Sequence, residues 1–191
     1  MEHIILASGS PQRKTLLEGI GVQFTVVHSN IDEDGHPEKE PTERALILSE
    51  LKALEVAKMH PDRWVLGADT LVVSANGMLL EKPKDEKEAR AMLMEQSGSV
   101  SVVHSALCLR APDGSLFKDI NSSRVHFAPL TDTDIDWWID TKLWQGRSGG
   151  FQIDGPGQLM IERIEGDWTG IVGLPIFTFG QVAERAGLKL L

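Results

Sequence analysis

The N-terminal segment sets the strictest limit on the fold, because an apolar run gives way there to small polar residues and then to a basic stretch. Residues 4–14 read IILASGSPQRK. Ser10 suits the N-cap of a helix, and Pro11 suits its first position, where a missing N–H leaves no hydrogen bond unmade. The segment therefore predicts a strand, a short loop and a helix that begins at Pro11.

This predicted helix start is also a candidate anion site. Free backbone N–H groups and the positive end of the helix dipole favour a negative charge, and Ser8, Ser10 and Arg13 add hydroxyl groups and a cation. A phosphate group is the natural ligand. The alternative is a well-capped helix start that binds nothing. Neither the GxxxxGK[ST] nor the GxGxxG signature occurs, which disfavours kinase-like and dinucleotide-binding functions.

Composition and charge narrow the classes of function. The 191 residues, 41% hydrophobic and 25% charged, predict one domain spanning residues 1–191. The net charge of −9 repels polyanions, so we expect no nucleic-acid partner and no anionic membrane surface. No apolar run approaches the roughly 20 residues of a membrane span, and no signal-peptide pattern opens the chain. We therefore expect a cytoplasmic protein whose cations gather locally around a small anion.

Cysteine and histidine usage disfavours soft-metal and thiol chemistry. Cys108 is the only cysteine and lies in an apolar run, which predicts a small core residue. The six histidines form no HExxH motif and no Cys/His cluster, so the usual zinc patterns are excluded.

A carboxylate inside an apolar run is the main chemical anomaly. Asp69 interrupts the strand predicted over residues 64–73. A buried carboxylate is costly unless it is paired, hydrogen-bonded or bound to a metal. Asp69 is therefore either a functional carboxylate or a structural one that accepts backbone N–H groups.

Two lysines are predicted to turn toward this region. The helix predicted over residues 42–58 places Lys52 on its apolar face. The turn signal at residues 75–77 predicts a hairpin, and Lys82 follows on the returning chain, which has doubled back toward Asp69.

Periodicity and turn signals also divide the remainder of the chain into short elements. Residues 144–157 are too glycine-rich for a helix or strand and predict a binding loop. The other predicted elements are a strand over 23–29, a helix over 85–95, strands over 100–110 and 116–128, a helix over 131–141, strands over 158–164 and 170–173, and a last helix from Leu174.

Six motifs occur in order over nearly the whole chain: LASGSPQRKTLL, LSELKA, LGADT, EKP, SGGFQIDGPG and ERIEGDWTGIVGLP. The ordered set resembles the Maf (septum-formation-inhibitor-like) family of nucleoside triphosphate pyrophosphatases. The resemblance implies an α/β fold: a single elongated domain with a mixed, largely antiparallel sheet flanked by helices and a central nucleotide-binding cleft, often in a homodimer. It also implies hydrolysis of a nucleoside triphosphate to the monophosphate and pyrophosphate with a divalent cation.

Motif positions carry the family's residue roles onto this chain. Asp69 matches the catalytic acid, which accepts a proton from water, holds the metal, or does both. Glu33, in the acidic loop of residues 30–35, matches a second carboxylate for the metal. The available hard oxygen ligands favour Mg²⁺ or Mn²⁺ over zinc. The implied substrate-binding residues are Ser8, Ser10, Arg13, Lys52 and Lys82.

Three positions that separate substrate branches of the family are mixed in this chain. At the positions of Gln12, Thr70 and Asp154, a dTTP/UTP branch has Arg, Thr and Gln, and a 7-methyl-GTP branch has Trp, Gln and Glu. Thr70 fits the first branch, Asp154 is acidic like the second, and Gln12 fits neither. An ionised carboxylate only accepts hydrogen bonds, so Asp154 predicts a bias toward guanine-type bases. Alternatively, Asp154 bonds backbone N–H groups of its own loop.

An alternative class is a nucleotide-binding regulator of cell division that has lost the chemistry. A purely structural role in septum formation fits less well, because a scaffold needs no cations around a buried carboxylate. The retained Asp69 and its basic neighbours in the motifs favour the enzyme.

Overall fold

The chain opens with a strand and a capped helix, as its N-terminal pattern predicts. A computed structural model, which describes residues 2–33 and 40–190, places β1 at Ile4–Leu6 and α1 at Pro11–Gly19. The Ser10 hydroxyl accepts a hydrogen bond from the backbone N–H of Arg13, and Pro11 takes the first helical position. Asp34 and Gly35, the end of the predicted acidic loop, lie outside the described residues.

One mixed sheet organises the strands. After β1 they are β2 (Phe24–Val26), β3 (Trp64–Val73), β4 (Leu79–Leu80), β5 (Val100–Arg110), β6 (Leu116–Phe127) and β7 (Ile161–Glu165). Their order is β2-β1-β3-β5-β6-β7, with β4 paired to β3. β1 runs parallel to β2 and β3, whereas β4 is antiparallel to β3 and β7 to β6.

Helices complete the α/β fold. After α1 they are α2 (Pro41–Ala57), α3 (Glu86–Gln96), α4 (Asp132–Asp140), α5 (Trp168–Val172) and α6 (Ile176–Ala186). The predicted α/β class with a mixed, helix-flanked sheet is confirmed. Within the described ranges, no helix is both long and apolar enough to cross a membrane.

Three predictions between residues 144 and 173 differ from the structure. Residues predicted as a strand over 170–173 include the end of α5. The Asp167 carboxylate accepts hydrogen bonds from the backbone N–H of Thr169 at 2.8 Å and from its hydroxyl at 2.6 Å, which favours a helix start. The glycine-rich segment is not wholly irregular, because it contains 3₁₀ turns at Ser148–Gly150 and Gly155–Met160. The second turn extends to Met160, so β7 starts at Ile161 instead of at the predicted residue 158.

The chain is divided into two compact units. The first comprises Met1–Thr70, Ser105–Asn121 and Gly173–Leu191, and the second comprises Leu71–His104 and Ser122–Val172. The expectations of a single domain, an elongated shape and a central cleft stay predictions.

The first unit has a core on each face of its strands, because successive strand residues point to opposite faces. On one face, Ala53 and Val56 of α2 pack with Val65 and Cys108. On the other face, residues of α1 and α6 pack against β1 and β3, namely Leu17, Phe179 and Val182 against Leu6 and Leu66. Cys108 is buried and its pKa is raised to about 12, chiefly by loss of solvent, which confirms a core residue.

The second unit has its own core, which includes several aromatic side chains. Trp138 is fully buried and donates from its indole N–H to the carbonyl oxygen of Gly150 at 2.8 Å. Phe127 and Phe151 pack edge to face with ring centres 5.0 Å apart. The neighbouring Trp137 is 38% exposed. This core supports the glycine-rich segment of residues 144–157.

Candidate active site

Helix α2 lies close to strand β3, and this brings Lys52 and Asp69 together. Gly67 and Asp69 share one face of β3. A Cβ at Gly67 would lie 2.1 Å from the backbone oxygen of Ser49, so only glycine lets α2 come this near. Lys52 follows Ser49 by about one helical turn. The helix therefore delivers the Lys52 side chain to Asp69.

Lys52 joins two carboxylates. Its Nζ lies 2.6 Å from Oδ1 of Asp69 and 2.8 Å from Oε1 of Glu33. Lys52 and Asp69 are each 5% exposed, whereas the Glu33 side chain is 40% exposed. The carboxylate in the apolar strand is thus paired. We call Glu33, Lys52 and Asp69 the Asp69 cluster.

The second oxygen of Asp69 has no hydrogen-bond partner in the described part of the chain. Oδ2 is buried and accepts no hydrogen bond from any described residue. An unpaired buried acceptor costs about 1–3 kcal/mol, so this oxygen is suited to a ligand from outside the chain. Within residues 2–33 and 40–190, no three His, Cys, Asp or Glu side chains lie together as a metal site. Mg²⁺ often binds one or two carboxylates with waters and substrate phosphates, so Asp69 and Glu33 fit such an ion.

Arg13 is held by three acceptors. Its Nε donates to the carbonyl oxygen of Gly173 at 2.8 Å, Nη1 to Oγ of Ser8 at 3.0 Å, and Nη2 to Oγ1 of Thr70 at 3.3 Å. A guanidinium has five N–H donors, so one donor remains on each Nη. A bidentate contact with phosphate oxygens needs two such donors. With Ser105, described below, these residues form what we call the Arg13 network.

The charges of the two groups nearly cancel. Burial lowers the pKa of Arg13, and the nearby carboxylates of Asp69 and Glu33 act in the opposite direction. Arginine nevertheless remains charged in proteins. Arg13 and Lys52 therefore balance Asp69 and Glu33, so a polyanionic ligand here would need further positive charge.

Consecutive residues of β3 serve the two groups. Asp69 belongs to the Asp69 cluster, and Thr70 belongs to the Arg13 network, because neighbouring strand residues point to opposite faces. The Thr70 hydroxyl also lies 3.1 Å from Oγ of Ser105 and donates to the carbonyl oxygen of Gly173 at 3.3 Å. The role predicted for Thr70 in choosing the base stays a prediction.

The N-terminal loop adds Ser8 and Ser10 to this region. The buried Ser8 hydroxyl accepts from the backbone N–H of Ser10 at 3.2 Å as well as from Arg13. The Ser10 hydroxyl donates to Oε1 of Gln12 at 3.3 Å. The structure thus brings Ser8, Ser10 and Arg13 together around the start of α1, and their contacts with substrate stay predictions, as does base selection by Gln12.

Lys82 and Asp154 belong to the second unit. Lys82 is exposed and follows β4. Asp154 is half-buried and precedes the turn Gly155–Met160, where its side chain makes no capping hydrogen bond. The alternative that Asp154 caps its own loop therefore finds no support there. The position of either residue relative to Asp69 stays a prediction.

Arg147 is a candidate that the sequence analysis missed. Burial lowers its pKa and the charge of Asp154 opposes that shift. Its Nε is buried without a hydrogen-bond partner in the described part of the chain, as is Oε1 of Gln152. The available signal was that Arg147 is the one basic residue in residues 144–157.

Ser105 and the Gly173 carbonyl were also missed. Ser105 is a polar residue in the largely apolar β5, which was the only sequence signal for it. Nothing in the sequence marks a backbone carbonyl as an arginine acceptor, although Gly173 has φ 136°, a conformation that favours glycine.

Comparison with known proteins identifies similar chains. A family model described as Maf-like protein matches residues 3–186. The dTTP/UTP pyrophosphatase of Pyrococcus furiosus is 39% identical over 184 residues, covering 96% of this chain and 95% of that relative. The dTTP/UTP pyrophosphatase of Deinococcus radiodurans is 40% identical over 186 residues, covering 97% and 94%.

A solved structure supports the fold. A HAM1 protein from Coxiella burnetii superimposes with a TM-score of 0.50 at 12% identity, covering 97% of this chain and 96% of that one. At that identity the likeness concerns the fold alone.

Proposed function

The chain belongs to the Maf-like protein family, and on that premise we propose that it hydrolyses a nucleoside triphosphate to the monophosphate and pyrophosphate. It is then a hydrolase acting on acid anhydrides. The observation that carries the proposal is the buried Asp69, whose Oδ2 has no hydrogen-bond partner among the described residues while Lys52 holds its Oδ1. Such an oxygen can accept a proton or hold a cation where a phosphate reacts.

The preferred substrates in this proposal are dTTP and UTP. The support is twofold: curated relatives carry that name, and Asp154 has Arg147 as a charged neighbour. Uracil and thymine present one N–H between two carbonyl oxygens. Asp154 can accept from the N–H, and the Arg147 guanidinium can donate to a carbonyl, which removes the repulsion expected from a carboxylate alone.

A 7-methyl-GTP preference is the second candidate. It is favoured by the half-buried Asp154 carboxylate, which makes no capping hydrogen bond in its loop. A group that only accepts hydrogen bonds suits the N–H groups of guanine. The two candidates differ in the base that is preferred and share the phosphate chemistry.

Hydrolysis requires water to attack the α-phosphorus while pyrophosphate leaves. The ion pair with Lys52 fixes the orientation of the Asp69 carboxylate, so that Oδ2 can accept the proton of the attacking water. The two remaining N–H groups of Arg13 can bind phosphate oxygens and offset the charge that develops there. Lys82 would add a further cation.

Asp69 and Glu33 are the residues that would hold a divalent cation, Mg²⁺ or Mn²⁺. When bound, the ion supplies positive charge to phosphate oxygens. The near-neutral balance of Arg13, Lys52 and the two carboxylates is the reason to expect it, because these residues alone leave a triphosphate unneutralised. The role of Asp69 as base, as ligand, or as both is open in this proposal.

We extend the proposal to a cytoplasmic protein that forms a homodimer, following the family resemblance. A non-catalytic regulator of cell division is the outcome if the nucleotide binds without hydrolysis.

A panel of ordinary and 7-methylated nucleoside triphosphates, with Mg²⁺ or Mn²⁺, tests the proposal. Pyrophosphate and phosphate release are measured separately. We expect pyrophosphate without phosphate, fastest with dTTP and UTP. Phosphate alone contradicts the reaction, a preference for 7-methyl-GTP selects the second candidate, and binding without release indicates the regulator.

A further inference from the structure

The geometry points to Ser105 as a positioning residue for Arg13 that acts through the hydroxyl of Thr70. The inference rests on the proposed function, in which Arg13 binds the triphosphate. Ser105 is 0% exposed, and its Oγ lies 3.1 Å from Oγ1 of Thr70. No substrate can reach a side chain buried in this way, so any effect of Ser105 must pass through its neighbour.

The contacts of Thr70 define what Ser105 does. A hydroxyl has one proton to donate and two lone pairs that accept. Thr70 accepts from Nη2 of Arg13 at 3.3 Å and reaches the carbonyl oxygen of Gly173 at 3.3 Å, to which it can only donate. Ser105 then donates to Thr70. Its hydrogen bond holds the Thr70 hydroxyl with a lone pair toward Arg13.

The Gly173 carbonyl ties the same parts together. It accepts from Nε of Arg13 at 2.8 Å and from the Thr70 hydroxyl. Gly173 has φ 136°, so a side chain there is strained and the direction of this carbonyl depends on glycine. With Ser8 on Nη1, the guanidinium is fixed at three of its nitrogen atoms, while one N–H on each Nη is kept for phosphate oxygens. Ser105 is thus the buried support of the Nη2 contact.

The chain offers a matched control on the same strand. Ser101 is also on β5 and 0% exposed, and its hydroxyl donates to Oε1 of Gln96 at 3.1 Å. Ser105→Ala and Ser101→Ala therefore remove the same group from equally buried positions, but only the first removes a contact in the Arg13 network.

The kinetic experiment is a double-mutant cycle. We expect Ser105→Ala to lower kcat/KM for UTP about five- to ten-fold, the size of one lost hydrogen bond, and Ser101→Ala to change it less than about two-fold. In an Arg13→Lys background, Ser105→Ala should have almost no further effect, because the guanidinium that Thr70 and Ser105 orient is already absent. An equal loss in both backgrounds would make Ser105 merely structural and overturn the inference.

A spectroscopic readout decides the same point without turnover. The Arg13 Nε–H signal in an NMR spectrum of the ligand-free protein is assigned by its loss in Arg13→Lys. It should shift or broaden in Ser105→Ala and stay in place in Ser101→Ala. An unchanged signal in Ser105→Ala overturns the inference.

The two readouts also separate this inference from the proposed function. A wild-type protein that releases no pyrophosphate refutes the function, and the NMR comparison then still decides the positioning role. If Ser105→Ala does not fold, Ser105→Cys keeps the side-chain size with a weaker donor and carries the same comparisons.

Discussion

The phosphate-binding candidates of the first unit and the glycine-rich segment of the second unit differ in how firmly protein contacts hold their polar groups. In the Asp69 cluster and the Arg13 network, charged groups are held by protein partners at 2.6–3.3 Å. In the segment of residues 144–157, Nε of Arg147 and Oε1 of Gln152 are buried without a hydrogen-bond partner among the described residues. In the first region, protein contacts orient both cations and leave Oδ2 of Asp69 for a ligand, whereas in the second region the buried polar atoms of Arg147 and Gln152 are not held in this way.

We expect from this difference a division of labour, in which the first unit acts on the triphosphate and the glycine-rich segment selects the base. Changes in the first unit should slow hydrolysis of every nucleoside triphosphate alike, because they act on the triphosphate. Changes in the glycine-rich segment should alter the ratio between bases. Measuring kcat/KM for UTP and for 7-methyl-GTP side by side in each variant tests both expectations.

The largest effect is expected for Asp69→Asn. The amide keeps the size of the carboxylate but loses its charge, so kcat should fall about 10³-fold for both substrates. Lys52 keeps Glu33 as an ionic partner, and thermal unfolding should show a folded protein. Pyrophosphate release near the wild-type rate would remove Asp69 from the mechanism.

Arg13→Ala should come next. It removes a charge-assisted contact to phosphate, and we expect kcat/KM to fall about 10²-fold with UTP and with 7-methyl-GTP alike. Arg90→Ala is the matched control, since Arg90 forms a surface ion pair with Asp136, and its kinetics should stay unchanged. A loss confined to one base would contradict the division of labour.

A smaller and base-dependent effect is expected for Asp154→Gln. Glutamine replaces one of the two acceptor oxygens that suit the N–H groups of guanine with an NH₂ donor, but it can still accept from the single N–H of uracil or thymine. The ratio of kcat/KM for UTP to that for 7-methyl-GTP should therefore rise about ten-fold, in line with about 1–3 kcal/mol for an unpaired buried group. If the ratio stays the same, Asp154 does not read the base.

The smallest effect is expected for labelling of the buried Cys108 thiol, which reports how readily the core of the first unit opens. The pKa of Cys108 is raised to about 12, so at pH 8 only about one thiol in 10⁴ is ionised. Iodoacetamide should leave the native protein unlabelled and label it after unfolding in urea. Rapid labelling of the native protein at pH 8 would show that the core behind the site opens readily.

Local signals predicted most of the fold. Ser10 and Pro11 marked the start of α1, and alternation with turn residues gave β5 and β6 to within about one residue. The element α5 was missed because five residues carry too little periodicity, and its start depends on the Asp167 side chain. The 3₁₀ turns were missed for the same reason of length.

Site residues were predictable where a single charged side chain stands out in an apolar sequence context. A carboxylate in an apolar strand identified Asp69, and a lysine on an apolar helix face identified Lys52. The Gly173 carbonyl and Ser105 were not predictable as parts of the Arg13 network, because the first depends on backbone direction and the second contacts Thr70 rather than Arg13. Pairing of Lys52 with Glu33 likewise depends on tertiary structure.

Hydrolysis of UTP in ¹⁸O-labelled water tests the central claim most directly, because the label reports which phosphorus the water attacks. The products are separated and their mass is measured. Attack at the α-phosphorus, beside Asp69 and Arg13, predicts one ¹⁸O atom in UMP and none in pyrophosphate. Label in pyrophosphate, or in free phosphate released with UDP, would contradict the account.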